Sequence, residues 1–162
     1  VHQDTQFLNH LPVAENVALP LTVSGQPIDL PAIRDLLSWV QLAPQARALP
    51  PSLSGGERQR AALARAVILS PDVILADEPT GNLDWEMSMR LLQLLVELNQ
   101  RDGMGVIVTL HQVDYAIRYC DRVIALQGGK IVYDGPSMGL DQQRLIEIYG
   151  PEFEDAFWET KA

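Results

Sequence analysis

Two neighbouring carboxylates stand where an apolar run ends. Asp72–Ala76 is a short, mostly apolar stretch, and Asp77-Glu78 follows it directly. The stretch reads as a buried strand. In open α/β sheets, ligands bind beyond the carboxyl ends of the strands. Adjacent carboxylates at such a lip are costly without a cation or hydrogen-bond donors. Mg²⁺ meets that need, because it binds through one or two carboxylates, waters and substrate phosphates. An Asp-Glu pair alone is more often two solvated acids in a loop. The strand before it, and Pro79-Thr80-Gly81-Asn82-Leu83-Asp84 after it, move the reading toward a site.

A second group is Leu53-Ser54-Gly55-Gly56-Glu57-Arg58-Gln59-Arg60. Ser54 followed three residues on by Glu57 is a capping box. The helix it opens presents free N–H groups and a positive end. Two glycines allow close approach to the backbone. Together these suit a phosphate. Capping boxes are common, so the motif alone is equally an ordinary capped helix.

These groups need elements to hold them. Ala61–Val67 favours helix strongly, and Pro71 stops it. Val13–Leu19 reads as a short helix closed by Pro20, and Thr22–Asp29 as a linker. Ile33, Leu36, Leu37 and Val40 recur at helical spacing over Pro31–Leu42. Ala43–Leu53 is a proline-rich loop. Trp85–Arg101 is helical, with Gly103 placed to cap its end. Gly105–Leu110 reads as a second buried strand. Gln112–Cys120 is helical, Arg122–Leu126 and Lys130–Tyr133 are strands about the Gly128-Gly129 turn, and Leu140–Tyr149 is a last helix. The alternation suggests a parallel sheet covered by helices.

Composition sets bounds. The chain has 162 residues, enough for one packed domain. Its net charge of −9 argues against nucleic-acid binding, since an acidic surface repels phosphate backbones. The single cysteine, Cys120, excludes an internal disulfide and a four-cysteine zinc site. It reads as a small buried apolar residue. No run approaches the ~18 apolar residues of a membrane span. His2 and His10 read as surface or loop residues, and Trp39, Trp85 and Trp158 as packing residues.

The motifs in order resemble those of ABC transporter ATPases. Leu53-Ser54-Gly55-Gly56-Glu57 resembles their signature motif. Ile74-Leu75-Ala76-Asp77-Glu78-Pro79 resembles their second nucleotide motif, and Asn82-Leu83-Asp84 their D-loop. His111 follows a strand as their switch histidine does, and Gln3 stands where their Q-loop glutamine does. The resemblance covers Val1 to about Pro136. Gln3-Asp4, Asn16–Leu21 and Ala76–Asp84 are similar to the cell-division ATPase and its lipoprotein- and macrolide-export relatives. Val108–Ala116 and Arg118–Arg122 are similar to the phosphonate-importer ATPase.

The resemblance implies an α/β fold of the P-loop NTPase type. A mostly parallel sheet is flanked by helices and carries a helical signature subdomain. It implies four segments: residues 1–12 with the Q-loop, 13–70 with the signature, 71–136 as catalytic core, and 137–162 as a C-terminal helix and tail. Asp77 and Gln3 would hold Mg²⁺. Glu78 would be the general base, and His111 would sense the γ-phosphate. Ser54, Gly55, Gly56, Glu57 and Asp84 would contact ATP, the signature residues serving the ATP of an opposing subunit. The implied partners are a second copy, head to tail, and an integral membrane permease-type subunit at the cytoplasmic face of a bacterial inner membrane. Competing readings are a soluble ABC-type ATPase of repair or translation and a non-catalytic remnant. The first usually carries coiled coils or basic insertions, which the short segment between Gln3 and Leu53 does not supply.

These 162 residues contain no G-x-x-x-x-G-K-[ST] loop, which in that family lies upstream of the Q-loop. The resemblance therefore places Val1 inside a longer sequence, with the first strands and the phosphate loop outside this chain and little ATPase activity expected from it alone. An exposed helix N-terminus contributes only about 0.3–1 kcal/mol to anion binding. Millimolar affinity needs about 4 kcal/mol. Calorimetric titration of this polypeptide with Mg-ATP is expected to show no saturable heat below millimolar ligand. Saturation at micromolar ATP would place the phosphate site elsewhere.

Overall fold

A computed structural model describes residues 6–150. Gln3 and the tail beyond Gly150 lie outside the described residues. The chain divides after His111 into two compact units.

The first unit is built mainly of helices. Helix α1 spans Val13–Val23, α2 Leu30–Trp39, α3 Gly55–Val67 and α4 Trp85–Asp102. Strands β1, Val73–Ala76, and β2, Gly105–Val108, pair in parallel with Ala76 opposite Val108. The core joins Val13, Val17 and Leu21 of α1, Leu37 of α2, Leu63 of α3, and Leu91, Leu95 and Leu98 of α4. In the second unit, α5 is Val113–Tyr119, β3 Arg122–Gln127, β4 Lys130–Pro136 and α6 Gln142–Tyr149. Strands β3 and β4 form an antiparallel hairpin about Gly128-Gly129, both at positive φ (56° and 77°). Leu140, Leu145 and Ile148 pack with Val113, Ile117, Val123, Ala125 and Tyr133.

The local signals explain most boundaries. Asp29 caps α2 by accepting from the Ala32 N–H, which starts that helix one residue before the expected Pro31. Gly103 at φ 66° ends α4 in the left-handed conformation a side chain would oppose.

Three expectations are corrected. Helix α1 runs through Pro20 to Val23, so Thr22 and Val23 are helical rather than linker. A proline within a helix costs ~3 kcal/mol or more. Leu21, 6% exposed, extends the buried face of α1 beyond that break, and burying a leucine returns about 1.5–3 kcal/mol. The strands read as buried are less covered than expected: β1 is buried on one face only, and no residue of β2 is fully buried. In β1, Ile74 and Ala76 are covered, whereas Val73 and Leu75, with Ile107 of β2, are exposed. Trp85 is exposed rather than packed, because it occupies the outward first turn of α4. Trp39 instead bridges helices, donating to Glu97 Oε2 at 2.9 Å.

Asn16, fully buried on α1, fixes the entry to the unit. Its Oδ1 accepts from the Leu8 N–H at 2.8 Å, and its Nδ2 faces the carbonyls of Leu8, Leu11 and Pro12. Removing one partner of a buried hydrogen bond costs about 1–3 kcal/mol for each group left unpaired. Asn16→Ala is expected to destabilise the first unit by roughly 2–4 kcal/mol, given several such groups. A shift in the urea midpoint measures it, and an unchanged midpoint would show that water replaces the amide.

Candidate functional site

The site lies at the carboxyl end of the β1–β2 pair. The parallel ladder continues one step past the strands, where the Thr109 N–H donates to the Ala76 carbonyl at 2.9 Å. That step sets Thr109 beside Asp77-Glu78. The Thr109 hydroxyl donates to Asp77 Oδ1 and accepts from the Glu78 N–H, each at 2.8 Å. Both roles of one hydroxyl are thus in use.

Glu78 leaves the strand at φ 44°, an uncommon conformation for a residue with a side chain. Its turn closes with the Gly81 N–H on the Glu78 carbonyl, followed by the Leu83 N–H on Thr80. The Glu78 Oε1 comes within 2.7 Å of His111 Nε2. An ionised carboxylate only accepts, so the facing imidazole nitrogen carries a proton. Both side chains remain open to solvent, at 37% and 75% exposure, so water reaches the carboxylate.

The glycine pair lies nearby in the same unit. Ser54 Oγ accepts from the Glu57 N–H at 3.3 Å and Glu57 Oε2 from the Ser54 N–H at 2.8 Å, completing the expected capping box. Gly55 is exposed, whereas Gly56 is buried beneath Met87, whose Sδ would sit 3.1 Å from an added Cβ. The room left by the second glycine therefore accommodates Met87 of α4. Asp84 caps α4 through the Met87 N–H at 2.8 Å. Gly55 in turn faces Leu83 and the Asn82 carbonyl. Two motifs separated in sequence thus abut. Arg60, buried on α3, ties this corner by donating Nε to the Val40 carbonyl at 3.0 Å and approaching Met87 Sδ.

The structure therefore joins Asp77, Glu78 and His111 in one cluster, and Ser54, Gly55, Gly56, Glu57 and Asp84 in another. Gln3 falls outside the described residues. Asn16 and Thr109 lie in segments that carry the family resemblance but were given no role there, and Met87 lies outside every motif. A hydroxyl at the end of an apolar run was a signal for Thr109; nothing local pointed to Met87. Among the described residues no group of three His, Cys, Asp or Glu side chains forms a metal cage. The donor set fits Mg²⁺ held by one or two carboxylates with phosphates and water, as that ion is usually bound.

A family profile described as ABC transporter matches residues 1–81, half of the chain. The chain belongs to the ABC transporter family. The phosphonates import ATP-binding protein PhnC of Caulobacter vibrioides is 43% identical over 174 residues, covering 98% of this chain and 64% of that protein. PhnC 1 of Cupriavidus metallidurans is 40% identical over 165 residues, covering 96% of this chain and 58% of its own. Among solved structures, the ATP-binding cassette MJ0796, a dimer in a post-hydrolysis state with ADP and Pi, superposes with a TM-score of 0.72 at 33% identity, covering 84% of this chain and 62% of that one. An inward-facing metal-chelate type ABC transporter gives 0.82 at 25% identity, covering 92% and 62%. The chain spans less than two thirds of the length of each. The PhnC likeness runs across both halves of the chain. ABC membership confirms the expected α/β P-loop-type fold.

The capping box has a measurable pH signature. The Ser54 backbone N–H holds the Glu57 carboxyl below its ordinary value near 4.5; burial opposes it, and the Ser54 hydroxyl and Arg60 add smaller lowering effects. A carboxyl depressed in the folded state stabilises it above the unfolded value and loses that contribution as pH falls through the folded one. Glu57→Gln is therefore expected to lower the urea midpoint at pH 7, with the gap to the parent closing as pH falls below about 4.5. A gap independent of pH would show that the carboxylate charge does not hold the cap.

Proposed function

We propose that this chain is part of the ATP-hydrolysing subunit of a bacterial ABC importer, and that its cargo is phosphonates. The observation that carries the enzymatic part is the Glu78–His111 contact of 2.7 Å beside Asp77 at the strand end. The names of the PhnC relatives, similar over nearly the whole chain, support the cargo.

On this reading Glu78 is the general base. Its carboxylate is solvent-accessible, so it receives the proton of a water that attacks the terminal phosphate. His111 donates its Nε2–H to that carboxylate and so orients it, and sensing of the γ-phosphate would turn that N–H from Glu78 to a phosphate oxygen. Asp77 would hold Mg²⁺, and Gln3, outside the described residues, would be its second protein ligand. The ion, when bound, neutralises the charge that develops on the phosphates. Phosphoryl transfer depends on positioning and charge stabilisation, which groups fixed at a strand end supply. The first turn of α3, with Ser54 and Gly55 exposed, Gly56 buried, and the Ser54 and Glu57 N–H groups engaged in the capping box, presents its positive end to ATP held by a second copy arranged head to tail. Asp84, exposed at the N-cap of α4, is the remaining candidate contact to that ATP. Residues 13–70 then form the signature segment and 71–136 the catalytic one, with a membrane permease as the second partner at the inner membrane's cytoplasmic face.

Glu78→Gln in the full-length gene product keeps size and removes the proton acceptor. It is expected to bind Mg-ATP while hydrolysis falls about 10²–10⁴-fold, the usual worth of a general base. The trapped nucleotide is expected to drive dimerisation in sedimentation. Parental turnover would remove Glu78 from the chemistry.

A further inference from the structure

We infer that Thr109 is the positioning residue that sets the geometry of both acids, an inference that rests on the proposed role of Glu78. Its single hydroxyl donates to Asp77 Oδ1 and accepts from the Glu78 N–H, both at 2.8 Å, and its own N–H is fixed on the Ala76 carbonyl at 2.9 Å. The hydroxyl therefore has no rotational choice: its proton points to one acid and its lone pair to the backbone of the next.

The second bond matters for conformation. Glu78 stands at φ 44°, where most residues with a Cβ are disfavoured. A conformation of that kind persists only where its surroundings determine it. Pro79, fully buried, anchors the chain on one side of Glu78. On the other side the Thr109 oxygen captures the Glu78 amide. The first bond matters for orientation, because it fixes one Asp77 oxygen and so directs the other. Thr109 touches no reacting atom in this arrangement. It acts through Asp77 and Glu78.

Valine tests the idea, since it matches threonine in shape and suits a strand end but has no hydroxyl. Serine retains the hydroxyl and drops the methyl. In the full-length gene product, Thr109→Val is expected to lower kcat on the order of tenfold, with KM for Mg-ATP changed less than about threefold, because misplacement of a catalytic group reduces turnover before binding. Hydrogen–deuterium exchange of the peptide spanning Asp77–Leu83 is expected to quicken in the valine variant even without nucleotide. Thr109→Ser is expected to restore both readouts. Parental kcat and exchange in Thr109→Val would overturn the inference, and so would equal losses in the valine and serine variants. Glu78→Gln, run in parallel, separates the two ideas. If it hydrolyses ATP normally, the general-base assignment fails, while the exchange measurement still decides whether Thr109 orders the turn.

Discussion

The register of β1 against β2 is the constraint on which the site depends. With Ala76 opposite Val108, the residues just past each strand meet: Asp77-Glu78 from one, Thr109 and His111 from the other. In a parallel pair a slip of one residue would move every side chain to the opposite face. It would carry Thr109 away from Asp77 and His111 away from Glu78. The buried alternation of Ile74 and Ala76, set against exposed Val73 and Leu75, fixes that register. Packing in the unit's core thus governs polar geometry at its surface.

The second cluster is arranged by a different logic. The capping box belongs to α3, and its geometry is local, written in the spacing of Ser54 and Glu57. Its position is not local. Gly56 accepts Met87, Gly55 meets the D-loop backbone, and Arg60 spans from Val40 to Met87. Burial lowers the tendency of Arg60 to hold its proton, but a guanidinium stays charged, so its backbone and thioether contacts offset the desolvation. A displacement of α4 would therefore press on the glycine pair through one thioether side chain.

The sequence was informative where a signal was local. The caps at Ser54 and Gly103, the apolar run before Asp77 and the hairpin at Gly128-Gly129 all stand close to where the spacing placed them. Each involves neighbours within a few positions. The continuation of α1 past Pro20 was not legible, because burial of Leu21 decides it from outside the segment. The partly covered strands were misread for a related reason. A short apolar run has the same composition whether one face or two are covered, and Val73 and Leu75 differ from Ile74 only in what stands opposite. The acids and the histidine that the structure brings together were picked out by motif order. Thr109 was not, since its role depends on a pairing across 32 residues to Asp77.

Glu78 adopts a backbone shape that an unfolded chain visits seldom, so the site has no local memory of its geometry. A short peptide copying Ala76 to Leu83 would not hold it. Fraying of β2 would withdraw the Thr109 oxygen and let the chain at Glu78 relax into an ordinary extended form. Order in the two-stranded sheet and order at the acids consequently rise and fall together. A slow breathing motion of the strands would appear at the surface as intermittent loss of the Asp77–Thr109–Glu78 contacts, with no side chain of the cluster having changed.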